Sequence, residues 1–254
     1  GNHIFYRRRE LSGDEPFAAL QQALLSAADT LCLDAAEEAR RDELQRQREQ
    51  NSLDFFTDNA PRFREQQDLI AAPERYATAV LDLLDTLPCN ARRLALEVGP
   101  GEGWLLPRLS KQFERVIALD NAPAMLESAR TTASGLSNVE FVLGDTRHSA
   151  LSSLQADLIV INMVLHHTPN PAATLREAAC ALAPSGALLV TELCEHRQGW
   201  TRETCGDLWL GFAPEMIQEW AASADLQELT SSYLGQRNGF KLQLRLFAAA
   251  KTSS

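Results

Sequence analysis

Three glycines in the run Glu97-Val-Gly99-Pro100-Gly101-Glu-Gly103 carry the strongest chemical signal in the chain. Glycine permits a tight turn and lets backbone N–H groups approach a ligand with no Cβ in between. A helix starting behind such a turn presents its positive N-terminus to an anion, here a carboxylate. A strand-to-helix turn with no ligand uses the same residues, so the loop alone does not decide. The dinucleotide fingerprint G-x-G-x-x-G needs a glycine where this chain has Trp104, which counts against NAD or FAD.

Asp120 follows the loop by about 20 residues, the separation expected of a carboxylate that accepts both hydroxyls of a ribose. It can equally cap the helix behind it. Gly144-Asp145-Thr146 forms a third cluster, in which Asp145 can accept a hydrogen bond from an exocyclic amine such as adenine N6. His166 and His167 end another apolar stretch. An unperturbed histidine, with a pKa near 6.5, suits a general base at neutral pH, although the pair can also simply pack the loop. The polar and aromatic segment 194–212 is long for a connection and reads as a lid or acceptor wall. It makes Glu195, His196, Asp207 and Trp209 candidate acceptor contacts. Cys194 and Cys205 raise a thiophilic acceptor such as arsenite, but cysteines buried as small hydrophobes are commoner.

These residues need elements that bring them to one edge. Up to Leu87 the pattern is helical throughout, and after Ala91 strands and helices alternate. Ser12 and Glu15 with Pro16 read as a helix start. Phe17, Leu20, Leu24, Ala27 and Leu31 then form an apolar seam that must bury internally or in a dimer. Residues 34–50 read as a solvated helix or linker broken at 54–61, with a further helix from about Pro73. Strands are expected at 93–98, 115–119, 139–143, 157–163 and 187–193, with helices at 102–112, 122–133, 171–182 and 214–224. Two last strands, near 226–233 and 240–249, have a connection too short for a parallel crossover. Apolar runs such as Leu158-Ile-Val-Ile161 suit a parallel sheet covered on both faces. The expected fold class is α/β: a seven-stranded mostly parallel sheet with an antiparallel last strand, preceded by a helical N-terminal segment. The boundary is placed so that 1–68 is the helical segment and 69–254 the α/β domain. Ligands of such sheets bind outside the carboxyl ends of the strands, where the glycines and acids above fall.

Composition narrows the partners. The chain has 254 residues and a formal net charge of −10, opposite to the basic footprint of a duplex-binding domain. Arg7, Arg8 and Arg9 are the exception, so DNA is expected only through a region preceding residue 1. No apolar run approaches the roughly 20 residues of a membrane span, and no signal-peptide pattern opens the chain. Five cysteines with no CxxC pair argue against a disulfide framework or a zinc cluster. They favour a reducing cytoplasm, and no metal is expected.

Taken together, Glu97-x-Gly99-x-Gly101-x-Gly103, Asp120, Gly144-Asp145 and the strand Asp157–His167 resemble the Rossmann-like class I S-adenosylmethionine (SAM)-dependent methyltransferases, small-molecule branch. The resemblance spans roughly residues 70–250. It implies that Glu97 and the loop Gly99, Pro100, Gly101 and Gly103 hold the methionine portion of SAM. It implies further that Asp120 holds the ribose, that Asn121 and Met125 flank the adenine, and that Asp145 with Thr146, beside Gly144, holds its N6 edge. Asn162 and Met163 would line the floor beneath the sulfonium. Methyltransferases acting on DNA bases or protein glutamine carry Asn/Asp-Pro-Pro-Tyr/Phe after this strand, whereas here the residues are Asn162-Met-Val-Leu, so a small-molecule acceptor is implied. The product would be S-adenosylhomocysteine (SAH). Residues 1–10 also resemble the last wing strand of an ArsR-type winged-helix repressor, and the helix from Asp14 its dimerisation helix. That implies a homodimer through the N-terminal helices and an alternative role as a SAM- or SAH-sensing effector domain of a transcriptional regulator.

Overall fold

The computed structural model describes residues 17–87, 92–151 and 153–249. The expected helix start at Ser12–Pro16 and the wing-like residues 1–10 lie outside the described residues. The chain divides into two compact units that meet between Leu44 and Gln45, ahead of the boundary expected at 68/69.

In the first unit, α1 (Ala18–Asp29) carries the expected seam. Phe17, Leu20, Leu24 and Leu31 are all exposed, Leu24 by 63%. The second unit begins within α2 (Ala35–Asn59), which runs straight through Asp54–Asn59. The break expected there is displaced to a 3-10 turn at Ala60–Arg62, with Pro61 in its first positions. Proline is tolerated in a first turn, where its missing N–H goes unused. Two short helices follow, α3 (Phe63–Ala71) and α4 (Ala77–Asp85).

The sheet consists of β1 (Leu94–Val98), β2 (Arg115–Asp120), β3 (Val139–Leu143), β4 (Ala156–Asn162), β5 (Leu182–Leu193), β6 (Leu226–Gly235) and β7 (Lys241–Ala249). Its order is β3-β2-β1-β4-β5-β7-β6. β7 runs antiparallel to β5 and β6, while β1 to β5 pair in parallel. The expected seven-stranded sheet is therefore observed, with β7 as the reversed strand. β5 starts at Leu182 rather than 187, because Leu182 already pairs with Ala156 before a register shift brings Ala187 opposite Leu158.

Side chains alternate across the sheet. Ala95, Val116, Ala118, Leu158, Val160 and Leu189 face one core with Ile70, Val80, Leu84 and Leu109. Leu109 belongs to α5 (Leu106–Gln112), which starts later than the expected residue 102. Leu96, Ile117, Leu119, Ile159, Ile161 and Val190 face the other core, against Leu175 of α7 (Pro171–Cys180) and Ile217 of α9 (Pro214–Ser223). Each fully buried aliphatic side chain contributes roughly 1.5–3 kcal/mol. Both faces are covered, so the sheet is a rigid platform and chemistry is left to its carboxyl edge. At that edge, α6 (Pro123–Thr132) follows β2, and a one-turn helix, α8 (Thr201–Thr204), interrupts the long segment after β5. Among the described residues, no helix is long and apolar enough to cross a membrane.

Candidate active site

A cleft enclosing about 740 Å³ of empty space opens at the ends of β1, β2, β3 and β4. Gly99, Gly101, Asp120, Asn121, Met125, Gly144, Asp145, Thr146 and Met163 line it. Pro100 and Asn162 line a smaller adjoining hollow that shares Gly99, Gly101 and Met163. Gly103 and Glu97 line neither, and Glu97 lies buried behind the loop. Eleven of the thirteen residues expected to hold the cofactor thus line the cleft or its adjoining hollow.

The loop's conformation explains its glycines. Gly99 has φ +65°, and a Cβ there would stand 2.6 Å from Val164 Cγ2. Its own N–H is taken by Leu119 O at 2.8 Å, which ties the loop to β2. Met163, at the floor, holds φ +59°, a left-handed conformation that costs a non-glycine residue roughly 1–3 kcal/mol. Its N–H donates to Thr191 O at 2.8 Å, anchoring the strained residue to β5.

Three acids carry the electrostatics. Burial pushes the Glu97 carboxyl up to about 8, and its Oε2 has no hydrogen-bond partner among the described residues. A carboxyl raised to about 8 holds its proton at neutral pH, and its open oxygen suits a cationic ligand group such as the SAM ammonium, whose charge would favour ionisation. Burial also pushes Asp120 up to about 6. Its Oδ1 accepts from the Ala122 N–H at 2.9 Å, which closes the turn ahead of α6 rather than capping that helix, whose N-cap Ala122 takes no side-chain bond, and the side chain borders the cleft. Asp145 is different. Burial opposes its charge, but the Arg147 side chain and N–H outweigh that and hold its pKa below the ordinary carboxylate range. Arg147 Nη2 also reaches Glu49 on α2 at 3.2 Å. Thr146 donates to Glu177 on α7.

Beside His167 the cleft has a further wall that motif reading missed, Ser52 and Phe56 of α2 and Phe63 of α3, with the Phe63 ring 3.1 Å from where a Cβ on Gly101 would stand. Ser52 Oγ donates to His167 O at 3.3 Å, and Phe56 meets the His167 ring edge-on at 4.9 Å. Gly206 receives Phe55: a Cβ there would lie 2.5 Å from the Phe55 ring. The adjoining hollow adds Arg64, Gln67, Tyr76 and Trp104, with Tyr76 Oη 3.5 Å from Asn162 Nδ2. No sequence motif marks these residues, although the Phe55-Phe56 pair in an otherwise charged helix was a usable hint.

The two histidines separate. His167 borders the cleft, whereas His166 is fully buried behind it. Burial opposes charge on His166, but Glu192 and then Asp207 outweigh it and raise its pKa. Burial and the neighbouring His166 push His167 well below the ordinary value. Asp207 is buried beside them, with its pKa raised by burial. Trp209 lies outside the cleft lining, its Nε1 donating to Thr168 O at 2.8 Å. His196 also lies outside it, stacked edge-on against Phe240, and Glu195 is exposed. Cys194 and Cys205 are buried and unpaired to sulfur, and Cys205 is pushed up to about 12 by burial and then Asp207.

Comparison with known proteins agrees with this geometry. A family model described as a methyltransferase domain matches residues 96–190. The trans-aconitate 2-methyltransferase of Methylobacterium radiotolerans is 38% identical over 111 residues, covering 43% of this chain and 41% of that protein. An uncharacterized 37.1 kDa protein in transposon TN4556 of Streptomyces fradiae is 36% identical over 124 residues, covering 48% of this chain and 35% of that protein. The chain thus spans less than half the length of these two curated relatives. Among solved structures, the N-methyltransferase NodS of Bradyrhizobium japonicum WM9, in complex with SAH, superposes with a TM-score of 0.57 at 20% identity, over 74% of this chain and 97% of NodS. Residues 96–190, which include Gly99, Gly101 and Gly103, thus match a methyltransferase domain, and the sheet that carries them shares its fold with the solved NodS structure.

Proposed function

We propose that the protein transfers a methyl group from SAM to a small-molecule acceptor and releases SAH. The observation that carries this reading is the convergence of Gly99, Gly101, Asp120 and Asp145 on one cleft, with the open carboxyl oxygen of Glu97 buried behind it. SAM supplies an electrophilic methyl carbon on a sulfonium, and the displacement is in-line, so most of the rate comes from positioning the acceptor. Here Glu97 and the loop 99–103 receive the amino-acid end. Asp120 receives the ribose, Asn121 and Met125 flank the adenine, and Asp145 with Thr146 borders its edge. Met163 and Asn162 form the floor. Ser52, Phe56, Phe63 and His167 face the acceptor, and because His166 is sealed from the cleft, contact from the histidine pair falls to His167. The acceptor of the Methylobacterium relative, trans-aconitate, is a carboxylate, and Arg64 in the adjoining hollow offers a cation for such a group.

The test is SAH production from SAM with a fractionated pool of small metabolites. Turnover should rise above the no-extract control and fall in Asp120→Ala. Calorimetric binding of SAM with no SAH in any fraction would favour the sensing role instead. The seam of α1 is proposed as a homodimer contact. Leu24→Glu should then yield a monomer by light scattering, and an unchanged mass would remove that proposal.

A further inference from the structure

We propose that His166, His167 and Asp207 bind one divalent transition-metal ion, with Glu192 fixing the first ligand from behind. The histidines sit on a 3-10 turn after β4, and Asp207 on the loop after α8. Asp207 Oδ1 is 3.9 Å from His166 Nε2 and 3.8 Å from His167 Nδ1, and one ligand atom from each residue lies within 4.8 Å of the others. All three residues are buried.

The arrangement of protons and lone pairs points to a cation. Glu192 is fully buried on β5. Its Oε1 accepts from His166 Nδ1 at 2.6 Å and from Leu193 N–H at 2.5 Å, and its Oε2 from His166 N–H at 3.2 Å. A carboxylate so placed holds the proton on Nδ1 and leaves a lone pair on Nε2. That lone pair faces Asp207. Among the described residues, His166 Nε2 and both Asp207 oxygens have no hydrogen-bond partner; the nearby Thr201 hydroxyl donates to Gln198 O at 3.1 Å, and Thr201 and Arg202 offset the burial of Asp207 only in part. Two acceptors therefore face each other across 3.9 Å in an interior where an unpaired carboxylate is costly. A second proton on His166 gives an ion pair with Asp207 at 3.9 Å but no hydrogen bond at that distance, so Nε2 and both Asp207 oxygens still lack close partners. A metal ion satisfies both groups, and Glu192–His166–metal is the usual second-shell arrangement.

Two imidazoles and one carboxylate favour zinc or a neighbouring transition metal over calcium or magnesium, which prefer oxygen. Ligand atoms of a tetrahedral site stand about 3.4 Å apart, so ligation draws Asp207 toward each histidine by about half an ångström and the two histidine nitrogens, within 4.8 Å of each other, by up to about 1.4 Å. His167 Nδ1 now lies 3.3 Å from Gly206 O, so ligation through it requires that contact to be given up and the proton to move to Nε2, which has no partner among the described residues. Three protein ligands leave a position open, and His167 borders the cleft. The inference does not depend on methyl transfer, because its test reads the ion itself.

The experiment is titration of chelator-stripped full chain with Co2+, read by visible ligand-field absorption, followed by competition with Zn2+. We expect one Co2+ per chain, displaced by Zn2+, and a raised thermal midpoint. Glu192→Gln should weaken binding by about 10–100-fold, and Asp207→Asn should abolish the stoichiometric site. Circular dichroism of the metal-free variants separates lost ligation from lost folding, and the wild-type titration needs no variant. No Co2+ band in the wild type would overturn the proposal. So would a sulfur-to-cobalt charge-transfer band, which would move the ion to a cysteine, or equal affinity in a folded Asp207→Asn variant.

Discussion

The two walls of the cleft are built on different logics. The glycine-loop wall takes its residues from the ends of consecutive parallel strands, so a ligand-facing residue falls at nearly the same place in each β-α unit. Gly99, Asp120 and Asp145 are 25 residues or less from one to the next in the chain. The other wall is assembled from α2, α3 and the turn after β4, and Ser52 touches His167 across 115 positions of sequence. The first wall is specified by local backbone demands and the second by packing. A local demand leaves a residue type at a fixed spacing, whereas packing leaves only an apolar residue among others.

If the contrast is right, the walls should fail separately. The largest effect is expected from Asp120→Ala, which removes hydrogen bonds to a charged group worth about 1.5–3 kcal/mol. Calorimetry should show SAM binding weakened by about 10–100-fold. Phe56→Ala should instead leave SAM affinity within a few-fold and lower turnover by roughly tenfold or more through acceptor misplacement. Equal loss of SAM affinity in both variants would dissolve the distinction. Gly99→Ala ranks next. The new Cβ meets Val164 and the φ is left-handed, so stability in urea should drop by about 1–3 kcal/mol.

A pH experiment sharpens the comparison at smaller scale. Glu97 ionises near 4.5 ordinarily, but in the fold burial pushes it up to about 8. Between those values the folded state binds the extra proton, so stability falls as pH rises from 4.5 to 8 and levels off above. Thermal midpoints of wild type relative to Glu97→Gln should decline across that window. A constant difference would show that the carboxylate is not desolvated. The smallest effect is expected from Glu49→Gln, which removes a half-exposed pair with Arg147 worth about 1 kcal/mol or less. It should change turnover slightly and vanish in high salt.

The sheet was largely legible because its strands are continuous apolar runs bounded by turn residues. β4 is buried at every position, and nothing else in solution suits such a sequence. The continuation of α2 through Phe55 and Phe56 was not legible, because the helix is held by tertiary seats such as Gly206 rather than by its own periodicity. Among the site residues, most of the glycines and acids that line the cleft could be placed from the sequence, and the histidine pair only half. His166-His167 names two side chains but cannot say that a backbone turn sends one to the cleft and seals the other with Glu192 and Asp207. Those two acids lie 26 and 41 residues from the histidine each approaches, with no spacing rule to link them.

Arg147 gives Asp145 a second allegiance. The carboxylate that borders the cleft, where we propose that the adenine edge is received, is clasped by a guanidinium that also grips α2 through Glu49. A nucleobase amine arriving at Asp145 must share the oxygens with Arg147, and any loosening of that clasp is felt at the helix carrying Ser52 and Phe56. On the proposed reading, a ligand at Asp145 would be felt at α2 through the one Arg147 side chain, and hydrogen exchange along residues 49–56 would report it.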